Sequence, residues 1–231
     1  MDSRSERPEI LLPSAPEDFL RYLPFLYQDE NETVPLRKIG FHLCTQAGPS
    51  ASVPGMTLSP ADRDTRFLIE FSLYWDYDIQ HMYDLEQIWV FVGGDGSLRG
   101  LWNSFHGFVL DAFGLPAMVH RRDGRPMLYT QPGKHAPLAD PALFGLHKDF
   151  RASLREQASG GLLIPPFLAD VLRTTPELDD RIRRHIRKSL TFEPSGRYVP
   201  VPVTPDMLCP TGELLALIPS FVDESIRKLP Q

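Results

Sequence analysis

His81, Asp84 and Glu86 follow one another in the pattern His-x-x-Asp-x-Glu. They lie in a sixteen-residue stretch, Tyr74 to Trp89, that holds four carboxylates, one histidine, three tyrosines and two tryptophans. Imidazole and carboxylate groups at this spacing can bind a divalent cation, relay a proton, or form a buried ion-pair network. If 84–92 is a strand, Asp84 and Glu86 leave the same face about 7 Å apart. Two acids that close, beside aromatic bulk, repel each other unless they are protonated, paired or bridged by a cation.

A hairpin decides what meets them. A three-residue turn, Gly94-Asp95-Gly96, with Gly93 paired to Ser97, sets Glu86 opposite Ser104 and Asp84 opposite His106. A two-residue Asp95-Gly96 turn puts Phe105 and Gly107 there instead. The sequence leaves both registers open. His135, in the compact turn Gln-Pro-Gly-Lys-His-Ala at 131–136, completes the set. His81, Asp84, Glu86, His106 and His135 are therefore the expected ligands of a divalent metal ion. Mixed nitrogen and oxygen donors suit zinc or manganese better than calcium or magnesium. Each residue also has a plainer reading: a solvent-facing Asp-x-Glu pair, a strand-ending His106, a His135 that caps a carbonyl.

Three functions compete. The first is a metal-dependent hydrolase, in which the cation polarises an ester or phosphate and activates water. Asp84, Asp76 or Asp78 would act as base and Lys134 would steady an oxyanion. Acids from two strands, with Glu70 beside them, would then converge. The second is a non-catalytic module that binds a sugar or lipid headgroup. Tyr74, Tyr83, Trp102, Ser104 and Gln131 would line the ligand in either case. The third is a structural polar network in which the acids pair with Arg66, Arg99, Lys134 or the C-terminal arginines and no metal is held.

The elements that must position these groups read as follows. Phe67 to Asp78 alternates with period two, with Ile69, Phe71, Leu73, Trp75 and Tyr77 on one face and Glu70, Ser72, Tyr74, Asp76 and Asp78 on the other. Strands are expected again at 84–92 and 97–107, and weakly at 37–44, with a glycine-rich turn after 92; the segment 121–131 adds an Asp-Gly turn and a further strand that ends at the compact loop. "PEDFLRYLPFL" suggests a helical turn or two. After Pro141, the segments 141–158, 166–190 and 211–229 carry helical spacing, with an extended piece at 196–203. The expectation is an α+β fold: a β-sandwich-like core domain with an N-terminal arm over 1–140, and a mainly helical extension over 141–231 packed on it.

The bulk properties narrow the field. A formal charge of −6 over 231 residues excludes a nucleic-acid partner held mainly through phosphates. The basic run Arg181, Arg183, Arg184, Arg187 and Lys188 follows Glu177, Asp179 and Asp180, the order a helix dipole favours, and reads as a solvated helix face. No apolar stretch is long enough to span a bilayer as a helix, and the first twenty residues do not read as a signal peptide. A cytoplasmic address follows, with Cys44 and Cys209 reduced or joined in one bridge. Oligomeric state is not legible.

The quoted segments, "YWDYDIQHMYDLEQIWVFVGGDGSLRGLWNSFHG" and "MLYTQPGKHA", resemble a bacterial family of unassigned activity over about residues 66 to 137. They are more distantly similar to the necrosis- and ethylene-inducing cytolysins and a vacuolar-sorting-associated group. Those proteins carry a Gly-His-Arg-His-Asp-Trp-Glu heptad, a Ser-x-His-Gly strand and a Lys-His-Ala turn. The cytolysin resemblance implies a β-sandwich with a divalent-cation site at the positions of His81, Asp84 and Glu86, on a face that engages membrane sphingolipids. Tyr83 stands where the heptad has its second His and Leu85 where it has Trp.

Overall fold

The computed structural model describes residues 10–63, 65–114, 118–146 and 157–230. The fold is α+β, with two sheets facing each other in a sandwich-like core. Strands β1 (Phe25–Asp29), β2 (Lys38–Cys44), β3 (Gly48–Pro49) and β4 (Thr57–Leu58) come first, after a short helix α1 (Pro16–Leu20). The long strands β5 (Phe67–Tyr77), β6 (Met82–Val92) and β7 (Leu98–Phe105) follow, then β8 (Phe108–Asp111), β9 (Arg121–Arg122), β10 (Arg125–Thr130) and β11 (Pro137–Leu138). The last third supplies helix α2 (Pro176–Ser189), β12 (Tyr198–Pro200), β13 (Leu208–Pro210) and helix α3 (Thr211–Lys228). The expected helix over 141–158 is a 3-10 segment at Pro141–Leu146, and its remainder lies largely outside the described residues.

One sheet runs β13-β2-β5-β6-β7-β8 and the other β11-β10-β1-β12, with β9 on β10. β13 lies parallel to β2, and β1 lies parallel to β10. Thus β12 and β13, from beyond residue 190, border β1 and β2 in the two sheets. The period-two pattern of β5 is real: Phe67, Ile69, Phe71, Leu73 and Trp75 join the main core with Leu26, Ile39, Val90 and Leu128. Each such side chain contributes about 1.5–3 kcal/mol on burial.

The other face of β5 is also covered. Glu70, Ser72 and Tyr74 are fully buried. Gly40, opposite Ser72, lacks the Cβ that would stand 3.0 Å from Leu214 and Thr211, so α3 lies close on this side. Arg37 ties it down, donating to Asp76 at 2.7 Å and to Glu224 of α3 at 2.5 Å. Glu70 is held by the hydroxyls of Ser50 and Ser52 and the Ala51 amide. Glu70 and Asp76 are thus satisfied separately rather than gathered, while the buried Ser72 hydroxyl has no partner among the described residues. Both cysteines are free and buried.

Candidate functional site

The chain leaves β5 at Tyr77 and re-enters at Met82 through a bend organised by Asp78. One carboxylate oxygen accepts from the amides of Gln80 at 2.6 Å and His81 at 2.7 Å. The other accepts from Lys134. Tyr83 then takes a φ of 84°, and His81 turns its Nδ1 to the Tyr83 carbonyl at 2.9 Å. In the ladder, Asp84 faces Trp75 and Glu86 faces Leu73, so both acids share the face that carries Trp75.

The 131–136 turn docks onto this bend. The Ile79 amide donates to the Gly133 carbonyl at 2.8 Å, and Lys134 Nζ reaches Gln80 Oε1 at 2.9 Å as well as Asp78. Gly133 sits at φ 69°, where an added Cβ would meet Ile79 Cγ2 at 2.5 Å, so glycine is required. His135 follows at φ 56°, fully buried. Its ring stacks on Trp75 with centroids 4.5 Å apart. Its Nδ1 lies 2.8 Å from Asp84 Oδ2, and its Nε2 lies 3.6 Å from Glu32 Oε2.

Glu32 comes from the segment after β1. It accepts from the amides of Thr33, Val34 and Gly133. Sequence reasoning missed it, because it sits in the acidic turn Asp-Glu-Asn-Glu at 29–32 with no periodicity to mark a buried side chain. Carboxylate, imidazole and carboxylate thus line up through the interior as Glu32, His135 and Asp84.

The hairpin combines both registers. Gly93 pairs with Ser97, as the longer turn requires, but a bulge between Phe91 and Val92 moves β7 by one place, so Phe91 faces Gly100 and Ile88 faces Asn103. Past that pair the Ser104 hydroxyl takes over from the ladder: it accepts from the Gln87 amide at 2.8 Å and donates to Glu86. His106 is turned to Gln131, Nε2 to Oε1 at 2.7 Å.

Charge is unevenly settled. Burial pulls His135 down, but Glu32 and Asp84 outweigh it and raise the imidazole to about 10. Burial likewise raises Glu32, and the His135 charge together with the Gly133 and Val34 amides brings it below its usual range. Glu86 is different. Burial and the neighbouring Asp84 push it up to about 8, only partly offset by the Ser104 hydroxyl.

The other expected site residues lie elsewhere. Asp76 is bound to Arg37 on the α3 side of the sheet, and Tyr74, stacked 5.6 Å from Phe221, is buried there. Tyr83 is also buried, 6.0 Å from Tyr74. Trp102 packs edge-on to Phe91. Asp78 and Lys134 neutralise each other. Ser104 and Gln131 do stand beside the acids and His106, and Gln131 Nε2 is buried without an acceptor among the described residues.

Among the described residues, no three His, Cys, Asp or Glu side chains stand so as to hold a metal ion. The five-ligand set expected from sequence is dispersed: His135 is spent on Asp84 and Glu32, and His106 on Gln131. Asp84 Oδ1 and Glu86 Oε1 keep no hydrogen bond among the described residues. Two carboxylates suit a hard cation that retains most of its water, rather than a closed zinc cage.

No helix of the described residues is long and apolar enough to cross a membrane. No family model and no curated protein matches the chain. Among solved structures, a triple-substitution mutant of NLPPya, an NLP (necrosis- and ethylene-inducing) protein, is similar at 15% identity and a TM-score of 0.34, covering 72% of this chain and 95% of that one.

Proposed function

We propose that the Asp84–Glu86 pair is the centre of a divalent-cation-dependent hydrolase acting on an ester or phosphate of a small molecule or headgroup. The observation that carries this reading is geometric: Asp84 and Glu86 leave one face of β6, one oxygen of each held by His135 and Ser104, and burial beside Asp84 raises Glu86 to about 8. The place is short of one positive charge, and a cation held by Asp84 and Glu86 would take the position of the Glu86 proton. Such an ion, when bound, polarises a carbonyl or phosphoryl oxygen and makes its water more acidic.

The chain's own residues have distinct tasks. Charged His135, locked between Glu32 and Asp84 and stacked on Trp75, holds the Asp84 carboxylate in one orientation. Ser104 holds one oxygen of Glu86, leaving the other to face the cation. Lys134, tied to Asp78 and Gln80, positions the turn that carries His135. A second reading, non-catalytic binding of a headgroup, draws support from the half-buried setting of Glu86, Ser104 and His106.

Calorimetry with magnesium and manganese, on the protein and on Glu86→Gln, tests the site. Saturable binding by the protein and its loss in the variant are expected. Absence of binding to the unaltered protein ends both readings. Binding without turnover of aryl esters or aryl phosphates selects the second.

A further inference from the structure

A second site lies on α2, independent of the Asp84–Glu86 reading. We propose that the cavity between the C-terminal half of α2 and Pro230 is an anion site that takes a phosphomonoester group. Its volume is about 210 Å3, and it is lined by Arg181, Arg184, His185, Lys188, Ser189 and Pro230. At 100° per residue, positions 181, 184, 185 and 188 fall on one side of the helix, next to the buried Ile182 and Ile186. Three cations therefore meet at one hollow in a chain whose formal charge is −6.

The five basic residues of this helix are not equivalent, which a solvated face would leave them. Arg183 is neutralised by Asp180 at 2.5 Å. Arg187 donates to the Ala158 carbonyl at 3.3 Å. Arg181 is braced by the carbonyls of Pro230 at 3.4 Å and Leu229 at 3.3 Å, uncharged acceptors that hold the guanidinium without cancelling it. Arg184 and Lys188, one helical turn apart, have no acceptor among the described residues. The nearby acid Asp179 is engaged by the Leu162 amide and the Thr174 hydroxyl. His185 buries its Nδ1 with no partner among the described residues, and its ring lies 5.4 Å from that of the buried Tyr77.

The helix end itself opposes an anion, since its macrodipole places about −0.5 charge there. Three full cations exceed that. Guanidinium groups match phosphoryl oxygens two by two, and an already braced arginine loses less freedom on binding. The cavity is large enough for a phosphoryl group and a small organic substituent.

The test uses the full chain with inorganic phosphate, phenyl phosphate, and phosphatidylcholine vesicles with or without phosphatidic acid. Arg184→Ala with Lys188→Ala alters only exposed side chains. Saturable binding that weakens about tenfold or more in the double variant is expected. Binding of the soluble phosphates alone marks a free ligand. Binding confined to vesicles with phosphatidic acid marks a lipid headgroup. Either outcome upholds the site. Absence of binding to all three probes overturns it, as does a double variant that binds like the unaltered protein.

Discussion

His135 lies flat on Trp75, ring planes 4° from parallel, and bonds Asp84, the residue directly opposite Trp75 in the β5–β6 ladder. One cross-strand pair thus supplies both the surface and the anchor for a single imidazole. Glu32 closes the other side.

Replacing His135 with Gln leaves Asp84 and Glu32 buried without their shared cation. A loss of about 3–5 kcal/mol in urea unfolding is expected. The pH dependence has a definite sign. An imidazole raised from 6.5 to about 10 contributes stability that is complete below pH 6.5 and is lost as pH rises towards 10. Unfolding followed between pH 6 and pH 10 should show that decline in the unaltered protein and a weaker one in His135→Gln.

Glu86→Gln mimics the protonated acid. A carboxyl raised from 4.5 to about 8 makes the folded state bind more protons than the unfolded one, so its contribution also falls as pH rises through that window. The variant should match the unaltered protein near pH 4 and exceed it by several kcal/mol, on the order of 4, near pH 9, as read by denaturant titration. Equal stabilities at both pH values would contradict the raised acidity constant.

Lys134→Met should cost about 3–5 kcal/mol, because Asp78 is left charged in the interior. Asp78→Asn in the same chain should return part of that loss. A double-mutant cycle measures the coupling, and additive losses would show that the pair does not act as a unit.

Gly133→Ala meets both a left-handed backbone and the side chain of Ile79. A cost of about 1–3 kcal/mol is expected. Hydrogen exchange at the Ile79 amide, which donates to Gly133, should accelerate alongside it.

Much of the fold was readable because β5 alternates with period two and β6 and β7 are apolar runs joined by a glycine-rich turn. β1 was not, since "FLYQD" adjoins the short helical piece and has no period of its own. β8 and β13 span only three or four residues each, too short for a pattern, whereas β12 falls within the extended piece expected at 196–203. At the site, the sequence offered Asp84, Glu86, Ser104 and His135 as neighbours in one of two open registers; the structure bonds Ser104 to Glu86 and His135 to Asp84. The sequence did not foresee that Asp76 and Tyr74 would be drawn under α3, because a polar side chain on a strand reads the same whether water or an Arg37 guanidinium meets it. Nor could either simple turn foretell a bulge that mixes the two registers.

The sheet borders have a consequence for synthesis. β1 and β2 are among the first strands to leave the ribosome, yet their outer neighbours, β12 and β13, arrive only with residues 198–210. Until then the nascent chain carries bare hydrogen-bonding edges on both sheets, open to pairing with any other extended polypeptide. A fragment ending near residue 140 would keep those edges permanently, and is expected to self-associate even with its apolar core intact.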